Sequence, residues 1–292
     1  MIDSTALDIS ALLERFSLYL KNKGRSKITV RFYLGDIKRT LREDNVNRPS
    51  SFNELFSSLE KGLQMAGKEK MHHNTFNRRI ASLNNLNAFL REEFHIEDTP
   101  HYSNYFRKAA IRENLRVISE EEYSSLMNQI PREDLLCLRA RALFSLVYGA
   151  GLTSGEIIRV NYYDFGREDM LIKSIRVKNR KGEERVLELD NSTKEELADY
   201  EKIALSEETD IKSHDHPYFK IRDGATLSLR RINSIFKRRQ EIAGLDPTLN
   251  FTSLRFNYAK RLIEEGLHIK ELACRLGVSY NHASSLKIFL PK

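Results

Sequence analysis

The chain has 292 residues but only 2 cysteines and no CxxC pair, which excludes a disulfide framework and a thiolate metal site. Cys137 and Cys274 lie in apolar helical patterns (DLLCLRARALFSLV and IKELACRLG). Both read as reduced core residues, and the expected compartment is the cytoplasm. With 13 glycines and 6 prolines, the chain is neither collagen-like nor of low complexity, and 40% hydrophobic residues suffice for real cores. No apolar run approaches the roughly 18 residues of a membrane span. The opening MIDSTALDIS has no basic region followed by an apolar stretch. Neither a membrane partner nor a secretory leader is expected. His72 and His73 have only Glu69 nearby and no cysteine, so they read as surface residues, and no metal or cofactor is expected.

What the chain does have is unevenly placed positive charge. Lys and Arg total 48 against 41 Asp and Glu, a net charge of +7. Between positions 21 and 42 lie Lys21, Lys23, Arg25, Lys27, Arg31, Lys38, Arg39 and Arg42, with Asp36 the sole acid. A second cluster, Arg230, Arg231, Lys237, Arg238 and Arg239, falls on one predicted helix, whereas TKEELADYEKIALSEETD between the two clusters is acidic. Local basic clusters on a nearly balanced chain fit a polyanion-binding surface better than general solubilisation.

Length suggests about two domains. Helical periodicity predicts helices over 7–22, 27–43, 52–66 and 74–93, the last capped by Asn74, so that residues 1–95 form a small all-helical domain. Periodicity lapses after 94 around Pro100, and 96–117 reads as a linker. A helix follows Ser119, and a strongly apolar one covers 133–149. From 170 to 190 the period changes to two, with MLIKSIRV and RVLELD flanking a polar turn at Gly182, which predicts a β-hairpin. Further helices are expected near 192–205, 225–243, 252–266, 268–276 and 280–289. The expected fold is mainly α with a small antiparallel sheet, the second domain spanning 118–292.

These residues carry a resemblance. RARALFSLVYGAGLTSGEIIRVNYYDF resembles the first signature box of the tyrosine recombinases, the phage-integrase and Xer-type family. LNFTSLRFNYAKRLIEEGLHIKELACRLGVSYNHASSLKIF resembles their second box, and the hairpin is similar to the turn that carries the family's catalytic lysine. KNKGRSKITVRFYLGDIKRTL and NTFNRRIASLNNLNAFLREE are similar to the helical SAM-like core-binding domain. The likeness runs through nearly the whole chain in the right order. It implies a core-binding domain followed by a recombinase-type catalytic fold, with double-stranded DNA as partner and a copy of itself or an active recombinase as a possible second partner.

Carried over position by position, the resemblance keeps Glu156 and Arg255, with Lys181 beside Gly182 matching the lysine and Lys178 close by. Thr153 stands where the family has its first arginine, Thr252 where it has a histidine, and Val278 ends the Leu-Gly-His triplet. Spacing puts Lys287 at the position of the nucleophilic tyrosine, or Phe289 with a two-residue insertion, the latter raising the question of a replaced tyrosine. In the family two arginines hold the phosphate oxygens while charge develops, and a threonine cannot replace a bidentate cationic donor. The resemblance therefore implies a DNA-clamping protein that has lost strand cleavage, in a recombination, mobile-element or DNA-organising role on the nucleoid or on mobile-element DNA. Its alternative is an active recombinase with Tyr280 as a relocated nucleophile. The expected DNA contacts are Lys21, Lys23, Arg25, Lys27, Arg31, Lys38, Arg39, Arg78, Arg79, Arg230, Arg231, Lys237 and Arg238. A helical scaffold for a protein partner is a third reading.

Overall fold

The computed structural model describes residues 7–44, 49–68, 71–105, 115–179, 182–207, 217–220 and 226–290. The chain divides into two compact units, Met1–Ile111 and Arg112–Lys292.

The first unit contains α1 (Ile9–Asn22), α2 (Lys27–Glu43), α3 (Phe52–Lys68) and α4 (His73–Phe94). The boundaries follow local chemistry. Asp8 and Ser26 cap α1 and α2 by accepting backbone N–H groups, and His72 does the same for α4. The cap expected at Asn74 is thus two residues earlier, because the His72 ring nitrogen accepts the Asn74 N–H at 3.3 Å. Phe16, Leu20, Ile37, Leu59, Leu63, Ile80, Leu86 and Leu90 form the shared core. Part of the segment read as a linker belongs to this unit: Tyr102 is buried against that core, and Asn87 donates to the Pro100 carbonyl at 2.6 Å.

Helices α2 and α3 meet at Gly62, where an added Cβ would lie 2.0 Å from the Thr40 carbonyl oxygen. Gly62→Ala should therefore destabilise the protein by roughly 1–3 kcal/mol through overpacking, although alanine is the better helix former. Gly35→Ala on α2, with nothing within 4 Å of its Cβ, should instead stabilise by about 0.5–1 kcal/mol. Urea titration of the two variants checks this opposition of sign, which helix propensity alone would not produce.

In the second unit, α5 (Glu120–Asn128) and α6 (Leu135–Ala150) precede a one-turn helix, α7 (Ser154–Ile157). The strands β1 (Phe165–Glu168), β2 (Leu171–Lys178) and β3 (Glu184–Glu188) form an antiparallel sheet in the order β1-β2-β3. The β2–β3 hairpin pairs Ser174 with Glu188 and Lys178 with Glu184. Strand β1, which periodicity does not reveal, pairs with β2 through a register shift at Gly166–Arg167. Then come α8 (Asn191–Glu207), α9 (Leu229–Ile242), α10 (Phe251–Glu264), α11 (Ile269–Leu276) and α12 (Tyr280–Phe289).

Helix α6 is buried almost all round, and its Leu143, Phe144 and Val147 join Phe236 of α9 and Phe251 of α10 in the main core. A second cluster joins Leu262, Leu272, Leu276, Ala283 and Leu286 across α10, α11 and α12. Cys137 is buried as expected, but Cys274 is exposed because it falls on the outer face of α11, opposite Leu272, Ala273 and Leu276. Among the described residues no helix is long and apolar enough to cross a membrane, and no group of His, Cys, Asp and Glu is arranged to hold a metal ion.

Candidate phosphate-binding site and basic surfaces

Helix α6 ends in Gly151, whose left-handed backbone (φ 65°) turns the chain toward α7. A Cβ there would sit 2.2 Å from the Tyr258 ring, so the close approach as well as the dihedral demands glycine. Thr153 then caps α7. Its hydroxyl accepts the Glu156 N–H at 3.2 Å, and the Glu156 carboxylate accepts the Thr153 N–H at 2.7 Å, a reciprocal capping box.

Glu156 is only 4% exposed and is the anionic centre of a buried cluster. Its Oε1 accepts a hydrogen bond from Nη1 of Arg185, on β3, at 2.6 Å, while Nη1 of Arg255, on α10, is 3.9 Å from its Oε2. Burial by itself would raise the carboxyl pKa. The Arg185 hydrogen bond, the Thr153 N–H and the two guanidinium charges outweigh it and hold Glu156 below the usual carboxylate value. Arg255, 8% exposed, donates to the carbonyls of Gly151 and, at 2.7 Å, of Leu276. Burial, against a partial offset from Glu156, lowers its pKa to about 10, so it stays charged at neutral pH. Arg185 also donates through Nε to the Arg275 carbonyl at 2.9 Å. Both guanidinium groups thus hold the C-terminal carbonyls of α11, where the helix dipole favours cations. Gly277 follows with φ 61°, and a Cβ there would approach Arg185 Nη1 to 2.4 Å.

Residues 116–285 match the phage integrase family, and residues 13–93 match the N-terminal SAM-like domain of phage integrases. The chain belongs to the phage integrase family. It is 24% identical over 274 residues to the tyrosine recombinase XerC of Shewanella amazonensis, covering 92% of this chain and 88% of that one. Its fold is similar to a XerH site-specific recombinase bound to difH substrate, with a TM-score of 0.70 and 17% identity over 96% of this chain and 81% of the other. It is also similar to a lambda integrase dimer bound to a COC′ core site, with a TM-score of 0.69 and 18% identity over 97% and 78%.

Within this integrase fold the structure brings Glu156 and Arg255 within 3.9 Å of each other. Lys181 lies outside the described residues, and Lys178 pairs with Glu184 at 2.8 Å. Thr252 is exposed on the first turn of α10. Tyr280 opens α12 and is 51% exposed. Lys287 is exposed in the last turn of α12, and the side chain of Phe289 lies outside the described residues. The tyrosine electrostatically coupled to Arg255 is instead Tyr258, buried in the α10–α12 cluster, its pKa raised chiefly by burial.

The integrase's basic clusters sort into free and committed charges. Asp36 is 2% exposed and is held by Arg78 through Nε at 2.8 Å and Nη2 at 2.9 Å, with Ser82 donating to it at 3.3 Å. The one acid of the basic segment is thereby withdrawn from the surface. Lys27, Arg31, Lys38 and Arg42, spaced by four, seven and four residues, form one exposed stripe on α2, with Arg39 beside it. Lys21 and Arg25 are exposed as well, while Lys23 is held by Glu92 at 2.9 Å.

Arg79 is a correction to the expected DNA-facing set. It is 4% exposed and bound to Glu43 at 2.7 and 2.8 Å, and a buried, neutralised guanidinium offers no charge to a partner. Arg78 is largely spent on Asp36 in the same way. On α9, Arg230 with Lys237 and Arg231 with Arg238 repeat at seven-residue spacing on the exposed face, opposite buried Ile232, Phe236 and Gln240. Sequence reading missed Arg185 altogether. Its signal was present: strand alternation puts it on the same face as buried Leu187.

Proposed function

We propose that this integrase-family chain binds duplex DNA in a recombination or mobile-element role, through phosphate contacts, and does not cleave the strand by a tyrosine. The observation that carries the reading is the pair of exposed basic stripes: Lys27, Arg31, Lys38 and Arg42 on α2, and Arg230, Arg231, Lys237 and Arg238 on α9, where Lys237 lies 4.0 Å from Glu241. The similar fold of a lambda integrase dimer bound to a COC′ core site and of a XerH recombinase bound to difH substrate supports the same partner. On this reading residues 1–95 act as the core-binding domain and 118–292 as the recombinase-type domain, each contributing a basic face to a clamp. The working partners are DNA and a second copy of the chain or an active recombinase, in the cytoplasm.

The loss of cleavage is supported by three features. Thr153 spends its hydroxyl capping its own helix and carries no cation, Arg255 donates to two carbonyls, and half-exposed Tyr280 has no hydrogen bond to a cation among the described residues. Losing one such transition-state donor typically costs about 10²–10³ in rate. A nicked suicide duplex incubated with the protein should give no covalent adduct, for wild type and Tyr280→Phe alike. An adduct made by wild type and lost in Tyr280→Phe would establish an active recombinase with a relocated nucleophile. Failure to retain duplex DNA at low salt would favour a protein-binding scaffold.

A further inference from the structure

The Glu156 cluster contains one carboxylate and two guanidinium groups, an excess of one buried positive charge. Arg185 makes the imbalance concrete. A guanidinium has donors on three nitrogens. Nη1 of Arg185 is taken by Glu156 at 2.6 Å and Nε by the Arg275 carbonyl at 2.9 Å, but Nη2 is buried with no acceptor among the described residues. The side chain as a whole is 7% exposed, so water does not readily replace the missing partner. A charged donor left unpaired in a protein interior is costly and rare, and it points to an acceptor that arrives from outside. Among the described residues no further acid is paired with the two guanidinium groups: Arg275 adds another cation, 3.7 Å from Glu271, and Tyr258 is a neutral phenol at physiological pH. The lowered pKa of Arg255, to which the neighbouring Arg185 charge contributes after burial, reports the same excess.

We infer that Arg185 is a phosphate-binding residue, its free Nη2 holding one backbone phosphate of a bound duplex. This deepens the DNA-binding reading above and rests on it. Phosphate is the fitting acceptor because its oxygens match the planar donor fork of arginine, and because α9 of the same unit presents exposed basic residues that would draw a polyanion. Nη2 has less than 1 Å² of exposure, so binding requires a local shift of the chain that covers it. Gly277 follows from the same arrangement, since any side chain there would press on the Arg185 guanidinium.

The test uses the full chain with two probes, inorganic phosphate and a short mixed-sequence duplex. At constant ionic strength, replacing chloride by phosphate should raise the melting temperature of wild type. Arg185→Gln should abolish that rise, and Arg185→Lys, which keeps the charge but not the fork, should leave part of it. On the duplex, Arg185→Gln should bind at least about tenfold more weakly, with the log–log salt slope shallower by about one. Should Arg185→Gln fail to fold, Arg185→Lys still decides, with a several-fold loss expected. Equal phosphate response and equal duplex affinity in wild type and both variants would reduce Arg185 to a tie between β3 and α11 and overturn the inference. If wild type binds no duplex at low salt, the functional reading fails, whereas the phosphate titration still judges Arg185.

Discussion

Raising the salt from about 50 to about 200 mM should weaken binding of this protein to duplex DNA by about 10³–10⁵-fold. Contacts to some six to ten phosphates would produce such a loss, because each neutralised phosphate releases condensed counterions whose entropy gain shrinks as bulk salt rises. The exposed cations are sufficient in number: Lys21, Arg25, Lys27, Arg31, Lys38, Arg39 and Arg42 in the first unit, and Arg230, Arg231, Lys237 and Arg238 on α9. Withdrawal of Asp36 under Arg78 removes the repulsive term that its carboxylate would contribute on α2. Neutralising Arg31 or Lys38 should lower the log–log slope by about one each and weaken different sequences alike, the behaviour of phosphate contacts. Arg79→Gln should leave the slope unchanged and instead lower stability, because Glu43 loses its partner. Fluorescence anisotropy across a salt series checks all of these. A nearly flat salt dependence for wild type would refute the basic-stripe interface.

Removal of the Glu156 carboxylate should be the most damaging single change to stability. Glu156→Ala takes away the one anion between Arg185 and Arg255, leaving two buried guanidinium groups facing each other, and also deletes half of the α7 capping box. Breaking a buried ion pair from one side costs about 3–5 kcal/mol, a large part of the roughly 5–15 kcal/mol by which a domain of this kind is stable. The acid sensitivity has a definite sign. Because the folded carboxyl titrates below its ordinary value of 4.5, its contribution is complete above that value and is lost as the pH falls through the lower folded value. Glu156→Gln should therefore be less stable than wild type at pH 7, and the gap should narrow on acidification below 4.5. Denaturant unfolding at a series of pH values tests this, and a gap that is constant with pH would show that the charge of Glu156 contributes nothing.

Most of the secondary structure was legible because its causes are local. Helix α2 runs from residue 27 to 43, as periodicity implies, and the β2–β3 hairpin falls on either side of Gly182, whose φ of 87° suits a turn. The elements that escaped are short: α7 is one turn held by the Thr153–Glu156 box, and β1 is four residues paired across a register shift. Neither is long enough to show a period. Charge was harder to read than apolarity. In the sequence Arg78, Arg79 and Arg31 are equivalent cations, yet two of them neutralise acids more than thirty residues away on α2, and the third faces solvent. Cys274 shows the converse, an apolar-looking position that turns outward because the inner face of a short helix was already filled by Leu272, Ala273 and Leu276.

By itself the sequence determined the family, the order of the two units and nearly every long helix. Each of these depends on residue identity, spacing and neighbours a few positions apart. Tertiary structure alone decided which basic residues remain free, that Arg185 comes from β3 to meet a carboxylate on α7, and that one of its donors is left without a partner. Those outcomes depend on distances between segments 29 to 90 residues apart along the chain, and the energy of a buried charge is set by what surrounds it in space.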